Sequence, residues 1–121
     1  MTKVLCVEDH EAQRDIIVQM LELCGYEVDV ACSGEEGVKK GREWHPDIVL
    51  MDLRMPGRID GYEAICQLRN GPDTADIPII VVSAWGSAKD KERALKAGAS
   101  AHLTKPVSID ELITAINRHL T

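Results

Sequence analysis

Phenylalanine is absent from this chain of 121 residues, and two Trp and two Tyr are its whole aromatic complement, so its apolar share comes from Val, Ile, Leu and Ala. The four cysteines, Cys6, Cys24, Cys32 and Cys66, form no C-x-x-C pair, which argues against a zinc site or a disulfide framework. Reduced, partly buried thiols are expected instead. Basic charge is in deficit: Lys plus Arg number 14 against 20 Asp plus Glu, and the net charge of −6 would repel a phosphate backbone. Direct nucleic-acid binding is therefore not expected. A charged n-region and an apolar h-region are both missing before the first strand pattern, and no apolar run approaches the length needed to span a bilayer. No membrane association is expected, and the cytoplasm is the expected location.

With 45% hydrophobic and 28% charged residues, the composition is that of an ordinary globule. The length suits one domain, residues 1–121, burying roughly two thirds of the unfolded chain's surface. The pattern alternates strand and helix. Residues 4–7 are a short apolar run stopped by Glu8-Asp9, after which Ile16, Ile17, Met20, Leu21 and Cys24 recur at helical spacing before Gly25. Residues 26–31 place valines at alternate positions, and Ser33 with Glu36 has capping-box spacing for a helix reaching Trp44. Residues 48–51 are continuously apolar and end at Asp52; a loop with Pro56 and Gly57 leads to a helix over 60–70. Residues 77–82 read as a β-branched strand ending at Ser83, followed by a charged helix over 87–97 that Gly98 closes. A strand over 99–104 and a helix over 108–120 complete five βα units. Strands apolar on both faces with short helical crossovers predict an α/β fold, a parallel sheet covered by helices on each side.

In open parallel sheets the ligand sits beyond the carboxyl ends of the strands. Glu8 and Asp9 end strand 1, Asp52 ends strand 3, Ser83 ends strand 4 and Lys105 follows strand 5, so four strands deliver polar groups to one edge. Carboxylates about 4 Å apart repel by roughly 4 kcal/mol per pair at an effective dielectric near 20, and one lysine does not neutralise three of them. A cation is needed. Oxygen-only ligands suit a hard ion, and Mg²⁺ favours one or two carboxylates plus waters and a substrate phosphate. Beside such an ion an anionic phosphoryl donor can approach Asp52, with Lys105 and the Ser83 hydroxyl holding its oxygens.

Glu8-Asp9, Met51-Asp52-Leu53 with Met55-Pro56 and Asp60-Gly61, Ser83-Ala84 and Lys105-Pro106 together resemble the bacterial receiver domain of response regulators over the whole chain. The resemblance implies a flavodoxin-like (βα)5 domain with sheet order 2-1-3-4-5, acting as a phosphorylation-dependent switch of a two-component system. Asp52 is then the phosphoacceptor. Asp9, Asp52 and the backbone carbonyl of Arg54 would bind Mg²⁺ directly, and Glu8 through a metal-bound water. Lys105 would pair with the phosphoryl group, Ser83 would move to hydrogen-bond it, and the Lys105-Pro106 peptide would be cis. The implied donor is a phosphohistidine of a sensor histidine kinase or phosphotransfer protein. The implied output is altered binding of a downstream effector protein or domain through the face of helix 4, strand 5 and helix 5. A homodimer formed on phosphorylation is a further expectation, and turnover of an external substrate is not.

Three features depart from the family's pattern. One residue more than usual separates Met55-Pro56 from Asp60-Gly61, His102 stands where Tyr or Phe is usual, and Trp85 is unusually large beside the site. Arg54 and Trp85 are expected to flank the phosphoryl group and prolong its lifetime by obstructing water, and His102 is expected to take part in the switch. His10 receives no role, while His45, His119 and Trp44 read as structural, and Lys89, Lys91, Arg93 and Lys96 as a solvated helix face. The rival readings are a pseudo-receiver that is never phosphorylated and a Mg²⁺-dependent phosphatase. The phosphatase families place a second acid two residues after the nucleophile, where this chain has Arg54. A flavin or nucleotide module would need a glycine- or hydroxyl-rich loop after strand 1, where this chain has Glu8-Asp9-His10-Glu11.

Overall fold

The computed structural model describes residues 1–120, so Thr121, the end of the expected domain, lies outside the described residues. Five strands, β1 (Lys3–Val7), β2 (Glu27–Ala31), β3 (Ile48–Met51), β4 (Ile79–Ser83) and β5 (Ala101–Thr104), pair in parallel in the order β2-β1-β3-β4-β5. Five helices, α1 (Glu11–Leu23), α2 (Gly34–Trp44), α3 (Gly61–Asn70), α4 (Ala88–Ala97) and α5 (Ile109–His119), alternate with them. This is the expected flavodoxin-like topology.

Alternation along the strands divides the core. Leu5, Val7, Val49, Met51, Ile79 and Val81 join Val38, Ile65 and Leu68 in one cluster, whereas Val4, Ile48, Leu50, Ile80 and Val82 join Leu21, Leu112 and Ile116 in the other. Both faces of β3 are thereby buried, which is why its sequence is continuously apolar. Truncating a fully buried Leu or Ile in either layer to Ala costs about 2–5 kcal/mol.

Local chemistry sets the element ends, and in places it moves them from the expected positions. β4 begins at Ile79 rather than 77. Pro78 carries no amide hydrogen to donate, although its carbonyl accepts from Val49 N at 2.9 Å. Ser87 and Ser108 close capping boxes with Asp90 and Glu111, and Asp60 caps α3 by accepting from Glu63 N. α1 starts at Glu11 because the His10 side chain accepts from Gln13 N, an N-cap that is not obvious from sequence. His45 ends α2 in the left-handed conformation at φ 53°. Trp44 is partly buried, with Lys3 Nζ 5.4 Å from its ring centre. Among the described residues, no helix is long and apolar enough to cross a membrane.

Candidate functional site: an acidic cleft at the strand ends

The backbone hydrogen bonds that continue the sheet past its last paired residues fix the site. Glu8 N donates to Ala31 O at 2.9 Å, Asp52 N to Val7 O at 3.0 Å, and Lys105 N to Ser83 O at 2.9 Å. Gly61 completes the frame: its N–H donates to Leu53 O at 2.9 Å, and a Cβ there would lie 2.6 Å from Leu53 Cα and 2.9 Å from Asp52 C. Only glycine lets α3 start against the backbone of Asp52.

The result is a cleft of about 530 Å³ lined by Glu8, Asp9, His10, Gln13, Asp52, Arg54, Met55, Pro56, Ala84 and Lys105. Glu8 and Asp52 are nearly enclosed, 2% and 7% exposed, whereas Asp9 is open to solvent. One carboxylate oxygen from each of the three lies within 4.8 Å of the others. Lys105 Nζ donates to Glu8 Oε1 at 3.1 Å and to Gln13 Oε1 at 2.6 Å, and lies 3.5 Å from Asp52 Oδ2. Burial, and next the Asp52 carboxylate beside it, raise the pKa of Glu8 well above the ordinary carboxylate range, against the downward pull of Lys105. One ammonium among three carboxylates leaves the cluster short of positive charge. All three offer oxygen, so the group fits a hard divalent cation.

Ser83 is fully buried, and its hydroxyl accepts from Trp85 N at 3.1 Å, which turns the chain away from the cleft. The Trp85 ring stacks on Tyr62 at a centroid distance of 6.4 Å and packs against the core. Arg54, by contrast, is exposed on the cleft wall, with its N–H 3.4 Å from Asp52 Oδ1. His102 lies beneath the β4–α4 turn with Nε2 2.9 Å from Trp85 O, so Nε2 carries the proton, and its buried Nδ1 has no partner among the described residues. The Lys105-Pro106 peptide is cis. The exposed residues of α4 include Lys89, Lys91, Arg93 and Lys96, with Arg93 stacked on Tyr62 and Lys96 paired to Glu92.

Sequence reading missed two contacts. Gln13 reaches Lys105, and Glu35 on α2 accepts from Ile59 N at 2.9 Å in the loop beyond Asp52. Each joins residues far apart in sequence, so no local spacing reveals it.

Comparison with known proteins agrees with this geometry. The chain is 36% identical over 121 residues to the polar-differentiation response regulator DivK of Brucella ovis, covering 99% of this chain and 98% of that protein. It is 33% identical over 116 residues to the DNA-binding dual master transcriptional regulator RpaA of Synechocystis, covering 96% of this chain and about half (48%) of that longer protein. Among solved structures, a putative response regulator from Chloroflexus aurantiacus superposes with a TM-score of 0.93 at 33% identity, covering 98% of this chain and 97% of that one. The receiver domain of the sensor histidine kinase PA1611 from Pseudomonas aeruginosa, solved with a magnesium ion in its active-site cleft, gives 0.92 at 32% identity with the same coverage. The family described as the response regulator receiver domain matches residues 4–117. The parallel sheet, the acidic cleft and these matches agree: the chain belongs to the response regulator receiver domain family.

Proposed function

We propose that this chain, residues 1–121, is a cytoplasmic two-component switch that accepts a phosphoryl group on Asp52 from a phosphohistidine of a sensor histidine kinase or phosphotransfer protein. The observation that carries the reading is the setting of Asp52: a carboxylate 7% exposed in an open cleft, 3.5 Å from the Lys105 ammonium and grouped with Glu8 and Asp9. An Asp52 oxygen attacks phosphorus, the phosphorus–nitrogen bond breaks, and the donor imidazole leaves with the electron pair and takes up a proton. Lys105 and the Ser83 hydroxyl then hold phosphoryl oxygens, Ser83 giving up its bond to Trp85 N to do so.

Asp9, Asp52 and the Arg54 carbonyl would hold Mg²⁺, with Glu8 acting through a water. Bound there, the ion would neutralise charge that develops on the transferring group. The exposed Arg54 side chain would restrict the approach of hydrolytic water. A macromolecular donor must cover the cleft rim, where Gln13 and Lys105 adjoin an apolar groove of about 360 Å³ lined also by Ile16, Ile17, Met20 and Pro106. Output would follow from repacking of the β4–α4 turn, changing the affinity of the α4-β5-α5 face for an effector or a second copy.

The test is incubation with acetyl phosphate and Mg²⁺ followed by mass spectrometry. Wild type gains one phosphoryl group, Asp52→Asn gains none, and Asp47→Asn, changed immediately before the same strand, behaves as wild type. Modification persisting in Asp52→Asn would move the acceptor elsewhere.

A further inference from the structure

The loop between Asp52 and α3 is held by a group outside the acidic cluster. Glu35, in the first turn of α2, accepts from Ile59 N through Oε1 at 2.9 Å. Its carboxylate also crowds Gly57, where a Cβ would lie 2.9 Å from Oε2 and 3.1 Å from Oε1. Gly57 has φ +107°, a conformation that glycine adopts without strain. The adjoining Gly34 presses on the same segment: a Cβ there would lie 2.9 Å from Ile59 Cγ1 and 3.1 Å from Ile59 O. Residues 57–59 therefore rest on the N-terminus of α2, while Met55 is buried and Asp52 is fixed by β1. Arg54 lies between these anchors, on the cleft wall.

We propose that Glu35 is a positioning residue for the cation site: by fixing the turn over residues 57–59, it presents the Arg54 main chain to the carboxylate cluster. The inference rests on the reading of Arg54 as a backbone ligand given above. A free turn of this length would sample conformers in which that carbonyl faces solvent, and ordering it would be charged against cation affinity. Glu35 fixes the turn before the ion arrives. Groups that orient ligands without touching the metal commonly change affinity by about 10- to 100-fold.

The experiment titrates Mg²⁺ into wild type, Glu35→Ala and Glu35→Gln while following backbone amide shifts, with thermal unfolding recorded in metal-free buffer. Glu35→Ala should weaken Mg²⁺ binding by about tenfold, the low end of that range, because one of several restraints is lost. Glu35→Gln keeps an oxygen acceptor for Ile59 N and should stay within about twofold. Metal-free stability should be nearly equal in all three, since Glu35 is exposed. Unchanged affinity in Glu35→Ala, or equal weakening in both variants, would overturn the positioning role. Absence of any Mg²⁺ response in wild type would instead overturn the functional reading on which it rests.

Discussion

Asp52→Asn should make the metal-free protein more stable, although it removes the proposed phosphoacceptor. In the folded chain this carboxylate is 7% exposed and lies 3.5 Å from Lys105 Nζ, an attraction of about 5 kcal/mol at an effective dielectric of 20. Glu8, within 4.8 Å, opposes it: ionised it would repel Asp52 by about 3.5 kcal/mol or more, and it escapes this by taking up a proton, as its raised pKa records, at a cost that offsets most of the attraction. What remains is the cost of removing a carboxylate from water, several kcal/mol in real proteins. Neutralising Asp52 should thus stabilise the metal-free fold by about 2 kcal/mol, which for a domain of this size raises the melting temperature by roughly 6–10 °C. Mg²⁺ should reverse the order of gains, because an ion that binds the folded state stabilises wild type through linkage and the variant much less. Scanning calorimetry of both proteins in chelator and in about 10 mM Mg²⁺ makes the comparison. A metal-free variant no more stable than wild type, or equal Mg²⁺ stabilisation of both, would refute this account of the site's electrostatics.

Gly61→Ala should cost at least about 1–3 kcal/mol in urea unfolding and slow phosphorylation sharply, because its Cβ would collide with the backbone that carries Asp52. Burial pushes the Cys6 thiol up to about 12, with Glu8 adding to the shift, so Cys6 should resist alkylation in native protein near neutral pH while exposed Cys24 and Cys32 react at once; mass-resolved labelling in and out of denaturant checks this. His102 is held below its ordinary value of 6.5, first by burial, with Lys91 adding to the shift and the Trp85 carbonyl and Asp90 opposing it. It binds fewer protons folded than unfolded, so its contribution is intact above that value and is lost as pH falls through it; His102→Gln should flatten the decline in unfolding free energy between about pH 7.5 and about pH 5.

The site's polar groups were legible because a parallel sheet carries out a simple geometric rule: whatever residue ends a strand arrives at the same edge. Glu8, Asp9, Asp52, Ser83 and Lys105 needed only their strands to be recognised, and apolar runs closed by a polar residue mark those strands well. Side-chain direction is another matter. Trp85 is two residues beyond Ser83, yet the bond from its N–H to Ser83 Oγ turns the chain, and the indole lies on Tyr62 from α3. Sequence separation carries no information about that turn. The same holds for the start of α1, where His10 is an uncommon cap, and for Glu35, whose partner is 24 positions away. The segment over residues 71–77 depends on Thr74, wholly buried with its hydroxyl donating to Leu68 O, which composition alone does not disclose.

The bond from Lys105 to Glu8 joins residues 97 positions apart, and β1, β3, β4 and β5 must all be in place before the two meet. A chain emerging from the ribosome holds Asp52, the proposed phosphoacceptor, well before it holds the Lys105 ammonium. During that interval the aspartate is an ordinary side chain on an unfinished sheet, without the Lys105 ammonium beside it. Under the proposed function, competence to carry a message thus arrives together with the completed fold, and a truncated or unravelling copy becomes silent rather than misleading.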